Sequence, residues 1–311
     1  MRGGPIVKHP QADNLSIAQV FGYPVIIRTG EYAEGDRAVY VPVDGVVPEG
    51  DPRWAFLGEH RRIRAKKLRG VFSMGLLTAA DPSWAEGQDV REPLGITKYD
   101  PPEPDAGSGD EPDPGFLPPY TDIEGLRRWP GKLVPGEEVV LTEKLHGENG
   151  RFLWHEGRLW CGSRTRIKAE SPGSAWWRAA RAHGLAAKLA TVPGIAVYGE
   201  VHGYTGGFPY GVDRGVAGLR LFDALDIATR QYLDHDAFLA LARQLDLPVV
   251  PPLFRGPWSD DLRALAEGPS TLAGHVREGF VVRPVQERQD LEMGRVVLKL
   301  IGEGFLLRKG G

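Results

Sequence analysis

Cysteine is nearly missing from this chain: Cys161 is the only one in 311 residues. One thiol cannot close an intramolecular disulfide, which excludes the stapled secreted scaffolds and points to a reducing compartment, with the cytoplasm as the expected location. Long apolar runs are missing too. No stretch approaches about 18 uninterrupted apolar residues, and Met1 to Val20 lacks an apolar signal core, so neither a membrane-spanning helix nor an export signal is expected. Nor does one charge dominate. Lys plus Arg number 38 and Asp plus Glu 41, a net of −3, so no overall positive field draws the protein to nucleic acid or membrane, and any nucleic-acid contact must be local. What is abundant is Gly (41) and Pro (26), together well above the usual combined frequency of about 12%. That excess reads as many turns between short strands, and the length suits about two domains of ~100–200 residues.

The sharpest change in composition runs from Tyr99 to Pro119, where Pro101, Pro102, Pro104, Pro112, Pro114, Pro118 and Pro119 interleave with Asp100, Glu103, Asp105, Asp110, Glu111 and Asp113. Proline removes backbone donors and the carboxylates repel one another. An extended, solvated linker is therefore predicted over residues 99–118, dividing an N-terminal domain (1–98) from a C-terminal one (119–311). Before it, strands are expected at Leu15–Val20, Pro24–Arg28, Arg37–Val43 and Arg69–Thr78, a rhythm that suits a small β-barrel. After it, strands are expected at Glu138–Glu143, Arg151–His155, Ile195–Val201, Leu219–Ile227, Gly279–Arg283 and Val296–Ile301. Helices are expected at Ser174–Leu189 and Asp234–Leu245, the second with a stripe of Ala237, Phe238, Leu241, Ala242 and Leu245 behind Asp234 as N-cap. The expected fold class is α+β, a barrel followed by a mixed, largely antiparallel domain.

The most informative segment is Thr142-Glu143-Lys144-Leu145-His146-Gly147-Glu148-Asn149, where a predicted strand runs into a glycine turn. A lysine at a strand mouth serves as a nucleophile when desolvation or adjacent cations lower its pKa, because only the neutral amine carries the attacking lone pair. Alone, the same residues also describe an exposed lysine beside a turn. Five further pieces follow in order on predicted strands: Ser163-Arg164, Tyr198-Gly199-Glu200, Phe222-Asp223, Glu278-Gly279-Phe280-Val281-Val282-Arg283 and Leu298-Lys299. Glu200 interrupts an apolar run, and a buried carboxylate needs a ligand, a metal or a basic neighbour.

This ordered set resembles the nucleotidyltransferase motifs of the covalent ligase and capping-enzyme superfamily. Glu143-Lys144 with His146-Gly147 and Asn149 resembles ATP-dependent RNA ligases in particular; DNA ligases and capping enzymes usually carry aspartate at the position of His146. The resemblance spans roughly Pro119 to the C-terminus. It implies that Lys144 is the catalytic residue, joined to AMP through a phosphoramidate. It further implies that Glu143 contacts the adenine, Arg164 and Glu200 the ribose or its surroundings, and that Phe222 stacks on the purine. Glu278 and Glu200 are implied as holders of a divalent cation, Mg2+ or Mn2+. Lys299 is implied at the α-phosphate, where its charge offsets the negative charge that grows during attack, and Asn149 at that phosphate or a metal-bound water. One position departs from the pattern: the Lys-x-Lys of the fifth motif is Val297-Leu298-Lys299 here, leaving phosphate coordination to Lys299 with Arg295, Lys309 or the metal.

Upstream, His9-Pro10-Gln11-Ala12-Asp13-Asn14-Leu15-Ser16 is similar to the opening strand of an OB domain related to tRNA-binding modules. An OB module ahead of an RNA-ligase core resembles a bacterial nick-sealing branch. Twelve residues follow Lys299 (311 − 299), too few for the C-terminal OB domain of DNA ligases and capping enzymes. Within the N-terminal domain, Arg61, Arg62, Arg64, Lys66, Lys67 and Arg69 form the expected phosphate-facing patch, with Trp54, Phe56 and Phe72 as neighbouring stacking surfaces. The same run also fits a solvated basic face. Taken together, the resemblance implies an ATP-dependent RNA ligase sealing 3′-OH/5′-phosphate nicks in duplex nucleic acid containing RNA, through lysyl-AMP and an adenylylated 5′ end. A DNA ligase or GTP-using capping enzyme remains open, as does an RNA-binding protein with an inactive transferase domain.

Overall fold

The computed structural model describes residues 5–99, 109–203, 208–213 and 215–309. The chain divides into two compact units, Met1–Pro102 with Leu306–Gly311, and Glu103–Phe305. No helix among the described residues is long and apolar enough to cross a membrane.

In the first unit, β1 (Ile6–Lys8), β2 (Leu15–Val20) and β3 (Tyr23–Arg28) form an antiparallel meander. Alternation sends Ala18, Val20, Val25 and Ile27 into one small core with Ala38 and Leu77. Three further pairs follow: β4 (Ala38–Val41) with β8 (Leu76–Ala79), β5 (Gly45–Val46) with β9 (Thr97–Lys98), and β6 (Lys66–Leu68) with β7 (Val71–Ser73). A 3-10 turn over Pro52–Leu57 seats Trp54 in a second core of Val39, Val41, Val47, Ile63 and Leu94. The strand expected over Arg69–Thr78 is two strands, β7 and β8, which join different partners. Among the described residues these strands are hydrogen-bonded in four ladders, with a further bridge between Val46 and Arg62. Pro42 and Pro48 flank β5 and cannot donate to a ladder, which keeps the pairings short.

The second unit holds two sheets. The seven-stranded one runs in the order β10 (Asp110–Glu111), β15 (Ile167–Lys168), β14 (Arg158–Gly162), β13 (Glu148–His155), β16 (Ile195–His202), β17 (Gly218–Asp226), β18 (Gln231–Tyr232). Phe152, Val197, Val201, Leu219 and Leu221 turn to one face and pack with α1 (Ala175–Ala182), α2 (Leu185–Leu189) and α3 (His235–Gln244). Leu153, Ala196, Tyr198 and Leu225 turn to the other, so both faces are apolar, as covered sheets require. The five-stranded sheet runs β11 (Glu124–Gly125), β23 (Leu298–Ile301), β20 (Gly279–Pro284), β12 (Glu138–Glu143), β19 (Pro252–Pro257). Only its β11–β23 pair is parallel. Val139, Leu141, Phe280, Val282 and Leu298 bury one face in a core of their own, while Val140, Thr142, Val281 and Arg283 line a cavity bounded on its other side by β13, β16 and β17. A hairpin of β21 (Gln289–Asp290) and β22 (Gly294–Arg295) and a last helix, α4 (Glu303–Lys309), complete the elements.

Three expectations change. The helix expected over Ser174–Leu189 is two helices that break at His183–Gly184, although Ser174 does cap α1 by accepting from Trp177 N (3.4 Å). Asp234 precedes α3, but its carboxylate accepts from Glu287 N (2.6 Å) and makes no side-chain cap. Of the linker expected over 99–118, residues 100–108 lie outside the described residues. From Asp110 the chain is already sheet: Asp110 and Glu111 pair with Lys168 and Ile167, and Leu117 is fully buried. Arg166 (2.7 Å) and Lys168 (3.1 Å) bind the Asp110 carboxylate and remove the repulsion that argued for a solvated chain.

One irregularity in β17 matters for the site. Tyr198 pairs with Asp223, but the next pair is Gly199–Leu221, so Phe222 is an extra residue, a β-bulge. It lets the chain neighbours Phe222 and Asp223 both serve the cavity side, where a regular strand would send them to opposite faces.

Candidate active site

β12 ends at Glu143 and the chain turns through Lys144–Gly147 into β13. Lys144 N donates to Gly279 O (3.0 Å) and His146 N to Tyr210 Oη (2.7 Å). Gly147 lies so close to β16 that a Cβ there would stand 2.3 Å from Val201 O, which only glycine avoids. Residues two apart share a face, so Lys144 continues the row of Val140 and Thr142. Register brings in Lys299: Thr142 pairs with Val281 and Val281 with Lys299, placing Lys299 on the same sheet face.

Lys144 Nζ lies 3.0 Å from Glu278 Oε1, and His146 Nδ1 3.4 Å from Glu278 Oε2. Glu200, opposite Asn149 in the β13–β16 ladder, lines the same cavity. Burial alone would lower the Lys144 pKa, yet the carboxylates of Glu278 and Glu200 outweigh it and hold the ammonium above the ordinary lysine value. This reverses the sequence expectation of a depressed lysine, because its neighbours are anions and not cations. Burial pushes the Glu278 carboxyl up, but Lys144 and His146 more than compensate and it lies below its usual range. Glu200 goes the other way: burial, with Glu278 and Glu148, pushes it up to about 8 against the pull of Lys144. One ammonium does not support two ionised carboxylates in a confined space.

Two oxygens here are buried without a hydrogen-bond donor, Glu143 Oε1 and Asn149 Oδ1, and Glu278 Oε2 has only the His146 ring at 3.4 Å. The other oxygen of Glu143 accepts from Thr271 N (2.8 Å) and Oγ1 (2.6 Å), so one half of the carboxylate is locked and the other left open. An unsatisfied buried oxygen costs about 1–3 kcal/mol, and a bound donor or cation would recover it. Two carboxylates suit Mg2+ or Mn2+, hard cations that complete their coordination with water and substrate phosphates. No group of three or more metal-ligating side chains gathers among the described residues, so the donor set fits a cation shared with a substrate and not a closed protein cage.

The cavity, about 160 Å³, turns apolar away from these groups, toward Ile123, Phe222, Val249, Val281 and Val297. Phe222 stands edge-on to Tyr120 at 4.9 Å. Behind them lies a buried polar network. Tyr120 Oη donates to Asp223 Oδ2 (2.7 Å), Arg283 reaches Asp223 Oδ1 (2.9 Å), and Arg295 lies 2.7 Å from Asp223 Oδ2. Burial opposes the Asp223 charge, but Arg283 and Arg295 keep its carboxyl below the ordinary range.

Of the residues singled out from the sequence, Glu143, Lys144, Asn149, Glu200 and Phe222 line this one cavity, and Glu278 joins through Lys144. Arg164 is not brought in; it pairs with Asp122 and its side chain is 40% exposed. Arg295 is held by Asp223 and Glu287, and at 5% exposure it is not a phosphate ligand in reserve. The Lys309 side chain lies outside the described residues. Sequence reading missed Tyr120, Arg220 and His235. Tyr120 and His235 line the cavity; Arg220, across from Glu200 in the ladder, donates to Val249 O (3.2 Å). Asp223 and Arg283, by contrast, stood in the Phe222-Asp223 and Glu278–Arg283 motifs.

In the first unit the basic run splits. Arg61 pairs with Glu49 (3.1 Å), and Arg62 pairs with Asp44 (2.6 Å) while stacking over Tyr99. Arg64, Lys66, Lys67 and Arg69 are exposed and make no ion pair among the described residues. Trp54 and Phe72 are buried packing residues; Phe56 is exposed.

Residues 137–301, more than half of the chain, match the RNA ligase family model, and residues 5–80 match the PHA02142 OB-fold domain model. Among solved structures, an RNA ligase of Naegleria gruberi with PPi is similar over 98% of this chain and 96% of its own, at 27% identity and a TM-score of 0.85. The same values hold for a lysine-to-methionine variant of that enzyme with AMP and Mn. An arginine-to-alanine variant with ATP and Mn gives a TM-score of 0.84 at 27% identity over the same shares. None of the curated proteins matches. With an OB-fold domain ahead of the matched region and a lysine at the mouth of a cavity between two sheets, the chain belongs to the RNA ligase family.

Proposed function

We propose that this protein is an ATP-dependent RNA ligase of the cytoplasm that seals 3′-OH/5′-phosphate nicks in duplex nucleic acid containing RNA. The observation that carries the reading is the polarity of the cavity. At one end Lys144 and Glu278 meet at 3.0 Å beside Glu200; at the other, Phe222 fronts apolar walls. The first end suits phosphates and a cation, the second a base. The similar ligases obtained with ATP and Mn, or AMP and Mn, support it, and the single buried Cys161 suits a reducing compartment.

In this reading Phe222 stacks on adenine, and the open Oε1 of Glu143 accepts from the exocyclic amine. Arg164 and Glu200 serve the ribose side, Arg164 after leaving Asp122. Asn149 and Lys299 meet the α-phosphate. Glu200 and Glu278 hold Mg2+ or Mn2+, which when bound supplies positive charge opposite the phosphates. The charge of Glu278 is what chiefly holds the proton on Lys144; with that charge offset, burial dominates and the amine becomes neutral. Nζ then attacks the α-phosphorus, an N–P bond forms as the P–O bond to pyrophosphate breaks, and the amine proton leaves to solvent. Lys299 faces the oxygens on which charge accumulates. AMP passes to a 5′-phosphate, freeing Lys144, and a 3′-hydroxyl displaces AMP to join the strands. Division of labour follows the domains: 1–98 grips nucleic-acid phosphates through Arg61, Arg62, Arg64, Lys66, Lys67 and Arg69, and 119–311 performs the chemistry.

Mass spectrometry of the purified protein after incubation with ATP and Mg2+ or Mn2+ tests this. One AMP should be gained, on the peptide carrying Lys144, and nicks with an RNA 3′-OH strand should be sealed in preference to all-DNA nicks. No adduct, an adduct elsewhere, or equal sealing of DNA would overturn the reading.

A further inference from the structure

We propose that Tyr210 is a positioning residue for the nucleophile: it fixes the Lys144–Gly147 turn and so the reach of the Lys144 amine toward the α-phosphate of ATP. The inference rests on the reading of Lys144 given above and adds a residue that neither the motifs nor the cavity lining contains.

Tyr210 is 64 residues from His146 in sequence and 2% exposed, and its hydroxyl accepts from His146 N at 2.7 Å. That N–H lies in the turn between β12 and β13, beyond the ladder bonds of either strand. Tyr210 supplies the acceptor that a main-chain donor there requires. The two ends of the turn have other anchors, Lys144 N on Gly279 O and Gly147 packed against Val201 O. Tyr210 holds the middle.

The phenol is itself held in place. It packs with Leu145, Phe208, Val250 and Phe305, and its ring meets the edges of His275 at 4.8 Å and His202 at 5.6 Å. Its backbone has φ +47°, the left-handed conformation that a residue with a side chain adopts only when its surroundings impose it. The chain is thus bent out of its ordinary path at the residue whose hydroxyl meets the turn. Tyr210 does not line the cavity, so it acts through the main chain and not by touching nucleotide.

Only formation of lysyl-AMP uses Lys144 as the attacking group; in the final sealing the attacker is the 3′-hydroxyl. A residue that aims Lys144 therefore weighs on the first step more than on the last. In the full-length Tyr210→Phe variant, which keeps the ring and removes the acceptor, lysyl-AMP formation at saturating ATP should slow by about ten- to a hundred-fold with little change in KM for ATP. Sealing of a pre-adenylylated nicked duplex by the same preparation should fall by less than about threefold, which also reports that the variant is folded. Unchanged adenylylation overturns the proposal, as does equal slowing of both steps, the mark of a merely structural residue. Lys144→Ala run alongside separates the two readings: an AMP adduct that persists in it defeats the assignment of Lys144 itself, whatever Tyr210→Phe does.

Discussion

The charges around Lys144 and those along Arg61–Arg69 are handled in opposite ways. Around Lys144 they are buried and unequal in number, with two carboxylates on one ammonium. Along Arg61–Arg69 they lie at the surface, two paired and four without an ion pair among the described residues. Burial converts charge imbalance into displaced protons, which is chemistry. Exposure converts it into a field screened within about 10 Å at ordinary salt, which serves attraction and not bond making. A change in the first region should alter what the protein does, and one in the second how tightly it holds.

The largest effect expected is that of Lys144→Ala. AMP adduct formation should vanish in the mass spectrum, while the unfolding transition falls less than in Asp223→Ala, since Glu278, left without its ammonium, still has His146 at 3.4 Å. Next comes Asp223→Ala. It leaves Arg283 and Arg295, 6% and 5% exposed, with Glu287 as the one anion they still share, and breaking a buried pair of this kind costs about 3–5 kcal/mol. Urea unfolding measures it. By contrast, Arg61→Ala removes an exposed pair worth about 1 kcal/mol or less. A similar loss from both would erase the distinction between the regions.

Glu278→Ala and Glu200→Ala should impair sealing and shift its metal dependence far more than they shift stability. Glu200 also carries a pH signature. Its folded pKa of about 8 exceeds the ordinary 4.5, so between those values the folded state keeps a proton that the unfolded state has lost, and stability falls as pH rises. Glu200→Gln removes that slope. Relative to wild type, the variant should gain in melting temperature from about pH 5 to about pH 8 when metal and nucleotide are absent; a constant difference would mean that Glu200 is not held protonated.

In the surface region, neutralising Arg64, Lys66, Lys67 and Arg69 should lower the slope of log affinity against log salt by about 0.7–0.9 for each phosphate that is no longer gripped, with a smaller change from Arg61 and Arg62, whose charge is already matched. Identical slopes for the variant and the wild type would reduce the run to a solvated face. The smallest effect is expected at Cys161. It is fully buried and its thiol pKa is pushed up by that burial, so the folded protein should resist alkylation at neutral pH. Cys161→Ala should cost about 1 kcal/mol and leave sealing unchanged.

The strands bearing the motifs could be read in the sequence because each joins β-branched residues to a turn signal: Glu138–Glu143 ends at Lys144 as expected, and Ile195 begins β16 as expected. Glu143, Lys144, Asn149, Glu200 and Phe222 were legible as one candidate site because their motifs, taken in order, resemble those of the nucleotidyltransferase superfamily. The protonation of Lys144 was not, since it depends on Glu278, which follows it by more than a hundred residues and meets it only across the sheet. Arg295 looks in sequence like a spare cation near Lys299; only tertiary structure assigns it to Asp223. Tyr120, Tyr210 and His235 belong to no periodic pattern, and their positions are set by the elements they pack against. The carboxylate-rich stretch before Pro119 misled for a related reason, because the partners of Asp110 lie in Arg166 and Lys168.

The extra residue at Phe222 divides β17 into two halves that are out of phase with each other. Removing any one residue there would restore a regular ladder and turn one half over. Either Asp223 would leave Tyr120 and its arginines, or Arg220 would leave Glu200. An alignment would score the event as a single gap, no worse than a shortened loop. In this strand it would turn a surface inside out, so the count of residues between Leu219 and Leu225 constrains the enzyme as firmly as the identity of any one of them.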